Sequence, residues 1–584
     1  MNGVLVVLTR HLRSHKMLSK PNPIDALSAA LQEQRAYRDR YGPASEPIIF
    51  ELTRAADNCL MRNPLGMSPG NSIDAMELAI REHGINDALT RMLPTELSDE
   101  RFKLFPSLAP NRAQCDDFLF SCGSIRLGEK MIAWLREGLI SGEYRELNDG
   151  DRLLKILILR TADPSLGDEI INRTWLRWDA EARVRAARDR ETKLMAVYRK
   201  IETELEQICH LTQGRFPSYD EAYRYIDTFE EMGDYYLDRM FGRDMLGPDE
   251  MIGGAAFKEY LGAIRVLSGM QHLHLAALMI LHRRHPDVEF RNLLAFPTAV
   301  DFTHDLIARS LGCSADHAER LLAPLTLSPF NAARHQATGE PMWPALIRAS
   351  RDFYIHPLFG MDINPHLFLL TNLRGDHRGD WDKLSDGREK RWQAELADLL
   401  KGSRFTAVRS SGYMLREGKR DLTDVDFAAY DPASGDLLLV QLKWQHPFDG
   451  DEKVRRSMAK NLADGGNKWT AVVLDWIETN GVEELLRRLG FVLGARPTPR
   501  LFILARYGAQ FSGRGTHDAR AVWTSWPHFK KAWRHAGRKS SRDLARFIQR
   551  DARDVKRQSK GLAATFTIGD LGVLLNPTRV PSRS

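Results

Sequence analysis

Between Leu422 and Trp444 two apolar runs flank Asp431-Pro-Ala-Ser-Gly435, and a pattern of that kind demands a β-hairpin. With the turn centred between Ala433 and Ser434, paired residue numbers sum to 867, so Asp426 faces Gln441 and Asp424 faces Lys443. Alternation places these four polar side chains on one face and Val425, Phe427, Leu438, Val440 and Leu442 on the other. Two carboxylates, an amide and an ammonium bounded by apolar neighbours are costly without a ligand. Their oxygens suit a hard cation, Mg²⁺ or Mn²⁺, which completes its shell with water and substrate phosphate.

Around this hairpin the sequence reads as helix 386–401, strands 404–408, 424–430 and 436–444, helix 451–463, strand 469–475, helix 482–489 and strand 500–505. Together these define an α/β segment over 385–510. At 584 residues the chain is long enough for three or four units. A tail over 1–20 precedes a mostly helical region, 21–380, which divides near 215–250. The Gly/Asp-rich passage Arg374–Asp380 marks the boundary before the α/β segment, and 511–584 forms a basic C-terminal extension. The expected class is therefore α+β, multidomain. Within the helical region Leu194, Tyr198, Ile201, Leu205 and Ile208 step by four, three, four and three, the seam of an internal helical hairpin.

Several classes fall away. The longest apolar stretch, Leu275–Leu281, is far short of a membrane span, so the expectation is a cytoplasmic protein without a membrane partner. Five scattered cysteines without a CxxC pair argue against disulfide and zinc frameworks. His272, His274, His282 and His285 lack an acidic partner at ligand spacing. Gly123-Ser-Ile-Arg-Leu-Gly128-Glu129-Lys130 approximates a phosphate-binding loop, but the Glu129 carboxylate would repel phosphates, so no ATP site is expected.

Net charge is +6, yet residues 481–584 hold 21 Lys/Arg against 7 Asp/Glu, which is +14 and leaves −8 for the rest. This points to a polyanionic partner, nucleic acid first. Lys530, Lys531, Arg534, Arg538 and Lys539, followed by Arg542, Arg546, Arg550, Arg553, Lys556, Arg557 and Lys560, are assigned to phosphate contacts. Lys453, Arg455, Arg456 and Lys460 extend the same groove. The interleaved Trp526, Phe529 and Trp533 fall at helical spacing and are assigned to packing.

Asp426, fourteen intervening residues, and Gln441-x-Lys443 between apolar strands, preceded by a helix, resemble the PD-(D/E)XK superfamily of restriction-endonuclease-like nucleases, in its Gln-x-Lys variant. The resemblance implies an αβββαβ fold over about 385–510 that cleaves phosphodiester bonds with Mg²⁺ or Mn²⁺. Asp426 would be the metal-binding acid, Gln441 would stand in place of the second acid, the Leu442 backbone carbonyl would complete the shell, and Lys443 would be the catalytic lysine. Thr423-Asp424 departs from the usual first element, and Gln441 removes one negative charge.

Members of the superfamily also bring a helix glutamate beside the metal. Glu389 shares a face with Trp392, Leu396 and Leu399; Glu395 is the alternative, and a capping box with Asp386 is the rival role for Glu389. DNA is the favoured substrate, defence against foreign DNA the implied setting, and a homodimer the way to cut two strands. The alternatives are a nuclease fold that binds without turnover, and a helical scaffold with a basic tail.

Overall fold

The computed structural model describes residues 22–576, except 41–45, 62–74, 98–103, 150–151, 162–165, 241, 337–342, 359–363, 446–451, 510–516, 538–539 and 559–563. The expected tail 1–20 lies outside the described residues. The protein is a mixed α/β structure in which helices predominate and the sheets are small.

The first part is a set of helices, Pro23–Arg38, Glu46–Met61, Ala75–Met92 and Ala109–Arg136. The last two meet backbone to backbone at Gly84 and Gly123, where a Cβ on Gly123 would overlap the Ile80 carbonyl oxygen. Gly123→Ala should therefore cost about 2–3 kcal/mol of stability through overpacking, read as a lowered denaturant midpoint with normal helical content. The loop-like motif 123–130 lies within this helix, and Glu129 pairs there with Arg35 (2.7 Å) and Arg126 (3.3 Å).

Two departures from expectation concern strands. Ile140–Asp149 and Arg152–Thr161 form a long antiparallel hairpin in the region expected to be helical, because Leu153-Leu-Lys-Ile-Leu-Ile-Leu159 carries a β-forming apolar run. The sheet is completed by Ala564–Ile568 and Leu571–Leu575, the latter parallel to Arg152–Thr161. The basic extension is thus not a separate appendage: its last strands share a core with Leu27, Leu31, Met131 and Trp134.

A central helix, Phe257–Arg284, is apolar and long enough to cross a membrane, yet most of it is buried inside the protein. It anchors the largest core, which joins Leu205, Phe229, Met245, Leu267 and Leu369 across the 215–250 stretch where a division was expected. The Leu194–Ile208 seam lies on helix Arg188–Ile208, which packs on its neighbours within the chain, Leu166–Ala186 and Ile226–Leu237.

Around this helix sit fully buried histidines. His274 donates from Nε2 to the Leu293 carbonyl (2.8 Å) and accepts at Nδ1 from the Tyr219 hydroxyl (2.6 Å). His356 bonds Thr298 (2.7 Å), and the two imidazoles sandwich Phe296. His335 and His366 donate to Asn372 (3.0 Å) and Asn364 (3.0 Å).

The α/β segment begins with helix α1, Ser385–Leu400, and contains β1 (Ala407–Arg409), β2 (Tyr413–Glu417), β3 (Arg420–Val425), β4 (Phe427–Asp431) and β5 (Asp436–Lys443). Helices α2 (Glu452–Asn480) and α3 (Val482–Arg488) lead to β6 (Thr498–Ala505), and β7 (Ala521–Ser525) precedes α4 (Trp526–Ala532) and α5 (Ser541–Gln558). The sheet order is β1-β4-β5-β6-β7. β4 and β5 form the hairpin, and β5, β6 and β7 run parallel, β5 reaching β6 through α2 and α3. Trp392, Leu396, Phe529 and Leu544 of α1, α4 and α5 cover one face, while Trp469, Val473 and Leu485 of α2 and α3 cover the other.

Phe427 pairs with Val440, the expected register. Asp431 fixes the turn by accepting from Ala433 N–H (3.0 Å) and the Ser434 hydroxyl (2.6 Å), and Gly435 adopts φ +78 where a side chain would strike the Arg496 carbonyl. The expected strand 469–475 is instead part of α2. Trp469, Val473 and Trp476 step by four and three onto the sheet, so burial of that helical face overrides local β-propensity.

Candidate active site

The expected strand 424–430 breaks at Asp426. Before the break, β3 leaves the main sheet to pair with β2, so Asp424 lies opposite Met414 and not opposite Lys443. After it, β4 enters the main ladder. Asp426 sits at the junction, 2% exposed, with its carboxylate turned toward β5. Its Oδ2 accepts from the Leu442 backbone N–H (2.6 Å) and from the Gln441 amide. Leu442 therefore reaches Asp426 through its N–H.

Glu389 projects from the first half of α1 into the same region. The helix starts at Ser385 with no side-chain cap, which leaves Asp386 inside the first turn and the capping-box role unfilled. Gln393, one turn further along and 5% exposed, donates from Nε2 to Glu389 Oε1 (3.2 Å) and to the Asp426 carbonyl (3.0 Å). Sequence reading missed this residue. Its signal was a buried-face amide continuing the line Glu389, Gln393, Leu396, Leu400 in steps of four, three and four. Trp469 was missed as well: its indole N–H holds the Asp424 carbonyl (2.6 Å) and fixes the end of β3.

The cluster is electrostatically frustrated. Burial first, then the Asp424 and Glu389 carboxylates, push the Asp426 carboxyl up to about 8, against the Leu442 N–H, which favours ionisation. Burial also raises Glu389; Asp424 adds to this and Lys443 opposes it. Lys443 is half-buried, and its Nζ runs beside Gly465 of α2, where a Cβ would stand 3.9 Å away. Three acids thus face one ammonium.

That donor set fits a divalent cation. The residual negative charge is what such an ion neutralises, and Mg²⁺ takes only one or two carboxylates directly and fills its octahedron with water. Among the described residues no three His, Cys, Asp or Glu side chains converge at ligand distance, so Asp426 with Glu389 or Asp424 would be the protein's share. The Gln441 amide lies against them.

Glu395 is elsewhere. It pairs with Arg506 (2.7 Å), a guanidinium 2% exposed that also holds Asp244 of the helical region and lies between the Trp392 and Trp444 rings at 5.4 and 5.1 Å. Arg506 N–H also donates to the Lys443 carbonyl (3.1 Å), so this ion pair braces the end of β5 against the helical region.

The basic residues divide into two kinds. Lys530 pairs with Asp179 (2.5 Å), and Lys531 pairs with Asp551 (2.8 Å) while lying over the Trp175 ring. These two lysines, expected to face phosphates, are instead internal ion pairs that dock α4 on helix Leu166–Ala186. Arg534 is exposed and stacks on Trp178 (5.2 Å), and Lys460 is exposed on α2. Arg538 and Lys539 lie outside the described residues, as do the side chains of Lys453, Arg455 and Arg456. Trp526, Phe529 and Trp533 are buried in packing. Comparison of the chain with family models, curated proteins and solved structures finds no match.

Proposed function

We propose that this chain is a divalent-cation-dependent nuclease that hydrolyses phosphodiester bonds, with DNA the favoured substrate and a restriction-endonuclease-like αβββαβ module as its catalytic part. The observation that carries the reading is the electrostatic coupling of Glu389, Asp424, Asp426 and Lys443 around the break between β3 and β4, where burial and like charges hold a carboxyl far above its ordinary range. Structural ion pairs are normally charge-matched; three acids against one lysine leave room for a cation and a phosphate.

Bound Mg²⁺ or Mn²⁺ would neutralise this charge and polarise the phosphate. Lys443 would stabilise charge on a phosphoryl oxygen from the opposite side. Glu389, raised by burial and steadied by Gln393, is placed to accept a proton from an attacking water. Cutting both strands of a duplex takes two such sites, which two copies would supply.

The test incubates the purified protein and Lys443→Ala with supercoiled, linear, single-stranded and branched DNA and with RNA, in Mg²⁺, Mn²⁺ or EDTA. Cleavage that needs metal and falls about 100-fold or more in the variant is expected. Equal cleavage by the variant would remove Lys443 from the chemistry. The contact between the Gln441 amide and Asp426 favours a second reading, a nuclease fold that binds nucleic acid without turnover, because Gln441 supplies a donor where the resemblance expects a second acid. Metal-independent binding without cleavage would select it.

A further inference from the structure

Helix α5, Ser541–Gln558, has two opposite faces. Leu544, Ala545 and Ile548 are buried against the sheet. Arg542, Arg546, Arg550, Arg553 and Arg557, stepping by four, four, three and four, are all exposed and share one narrow arc opposite that seam. No acid interrupts the arc. Asp551 is turned inward to His528 (3.2 Å) and Lys531, and Asp543 holds Ser540 (2.7 Å). Arg542 and Arg546 make no ion pair among the described residues.

The ridge borders two concavities. One, of about 550 Å³, is lined by His535, Arg546, Phe547, Arg550 and Arg553 with the single acid Asp543; the other, of about 400 Å³, lies between α5 and edge strand β7. Arg557 reaches Asp554 (3.9 Å) at the end of the row, the other like charges on this face repel each other, and buried Leu544, Ala545 and Ile548 leave no apolar face for a lipid surface. A row of guanidinium groups along a groove matches a row of phosphates.

The direction of the ridge is fixed. Ser541 N–H donates to Asp436 (2.7 Å), the first residue of β5, so α5 starts at the end of the sheet remote from Lys443. Ten residues on, Asp551 holds His528 at the start of α4, which follows Ser525. Ser525 registers with Ala505, and Ala505 with Lys443. The ridge therefore climbs toward the catalytic end over ~22 Å, on the face of the sheet opposite α2.

We infer that the Arg542–Arg557 ridge is a track for the phosphate backbone of duplex nucleic acid, which it delivers to the end of the sheet that holds Lys443. The delivery rests on the nuclease reading; the binding does not.

The experiment measures fluorescence anisotropy in EDTA, from 50 to 300 mM salt, with labelled duplexes of 6 and 20 base pairs. The proteins are the wild type, Lys443→Ala, the triple variant R546Q/R550Q/R553Q and the same triple exchange to lysine. Phosphatidylserine vesicles serve as a parallel probe. On the 20-base-pair duplex the glutamine triple should lose at least 10-fold in affinity and about 2–3 in the log–log salt slope. The lysine triple should retain both, and the 6-base-pair duplex should bind at least 10-fold more weakly to the wild type. An unchanged slope in the glutamine triple, equal affinity for the two duplexes, or binding to vesicles alone would overturn the inference. Cleavage by Lys443→Ala, scored separately, bears only on the active site.

Discussion

Lowering the pH from 7 to 5 should remove about 8 kcal/mol of folding stability held by four imidazoles in the core of this protein, offset in part by the protonation of Asp426. Burial holds His274 and His335 down to about 4 and His356 and His366 to about 3, against an ordinary value near 6.5. The native state keeps these rings neutral. Above pH 6.5 neither state binds the proton and nothing is lost. Below it the unfolded chain takes up protons that the folded chain refuses, so stability falls as pH drops from 6.5 toward 4.

At pH 5 each ring contributes ~2 kcal/mol to this loss, and the four together equal the whole stability of an ordinary domain. Guanidinium midpoints measured at pH 7.5, 6 and 5 should fall steeply over the last interval. A midpoint level across that range would mean that the four rings are solvated or charged in the native protein.

Asp426→Asn should do two opposite things. The carboxyl is raised when folded, so its protonated form is the one the fold prefers, and ionisation costs stability progressively as pH rises from about 4 to about 8. Asparagine keeps an oxygen for the Leu442 N–H and cannot ionise. In EDTA at pH 9 the variant should be more stable than the wild type, with a higher melting temperature. Mg²⁺ should raise the melting temperature of the wild type and leave that of the variant unchanged. Cleavage should fall by about 10³-fold or more, equivalent to ~4 kcal/mol of transition-state stabilisation. Gain of stability with loss of activity is the signature of a group kept for chemistry; a variant that melts lower than the wild type in EDTA would mark Asp426 as a structural residue.

What could be read in advance was local. The Asp-Pro-Ala-Ser-Gly turn fixed the β4–β5 register, and helical spacing separated Trp526, Phe529 and Trp533 from the cations. Glu389 was found because a helix face is a local property. The position of Asp424 was not legible, since the strand that draws it from the ladder is the short, polar Tyr413–Glu417, which pairs through an irregularity at Leu415/Arg416. Lys530 and Glu395 looked free because their partners, Asp179 and Arg506, lie hundreds and about a hundred residues away in sequence, and charge alone does not reveal a distant carboxylate or guanidinium. Apolar runs such as Val472-Val-Leu474 fit strand and helix equally well until the packing surface is known.

The sheet shared by Arg152–Thr161 and Leu571–Leu575 has a temporal consequence. The partner strand is translated about 400 residues later, which at 5–20 residues per second is a delay of ~20–80 s on the ribosome. Throughout that interval the edge of Arg152–Thr161 stays open, and the Lys443 strand is made and released well before the edge closes. Fold completion is thereby tied to the last segment of the described chain, so a truncated or stalled product would carry the Asp426–Lys443 cluster without its closing strand and would expose an apolar β-edge to the cell's quality-control machinery.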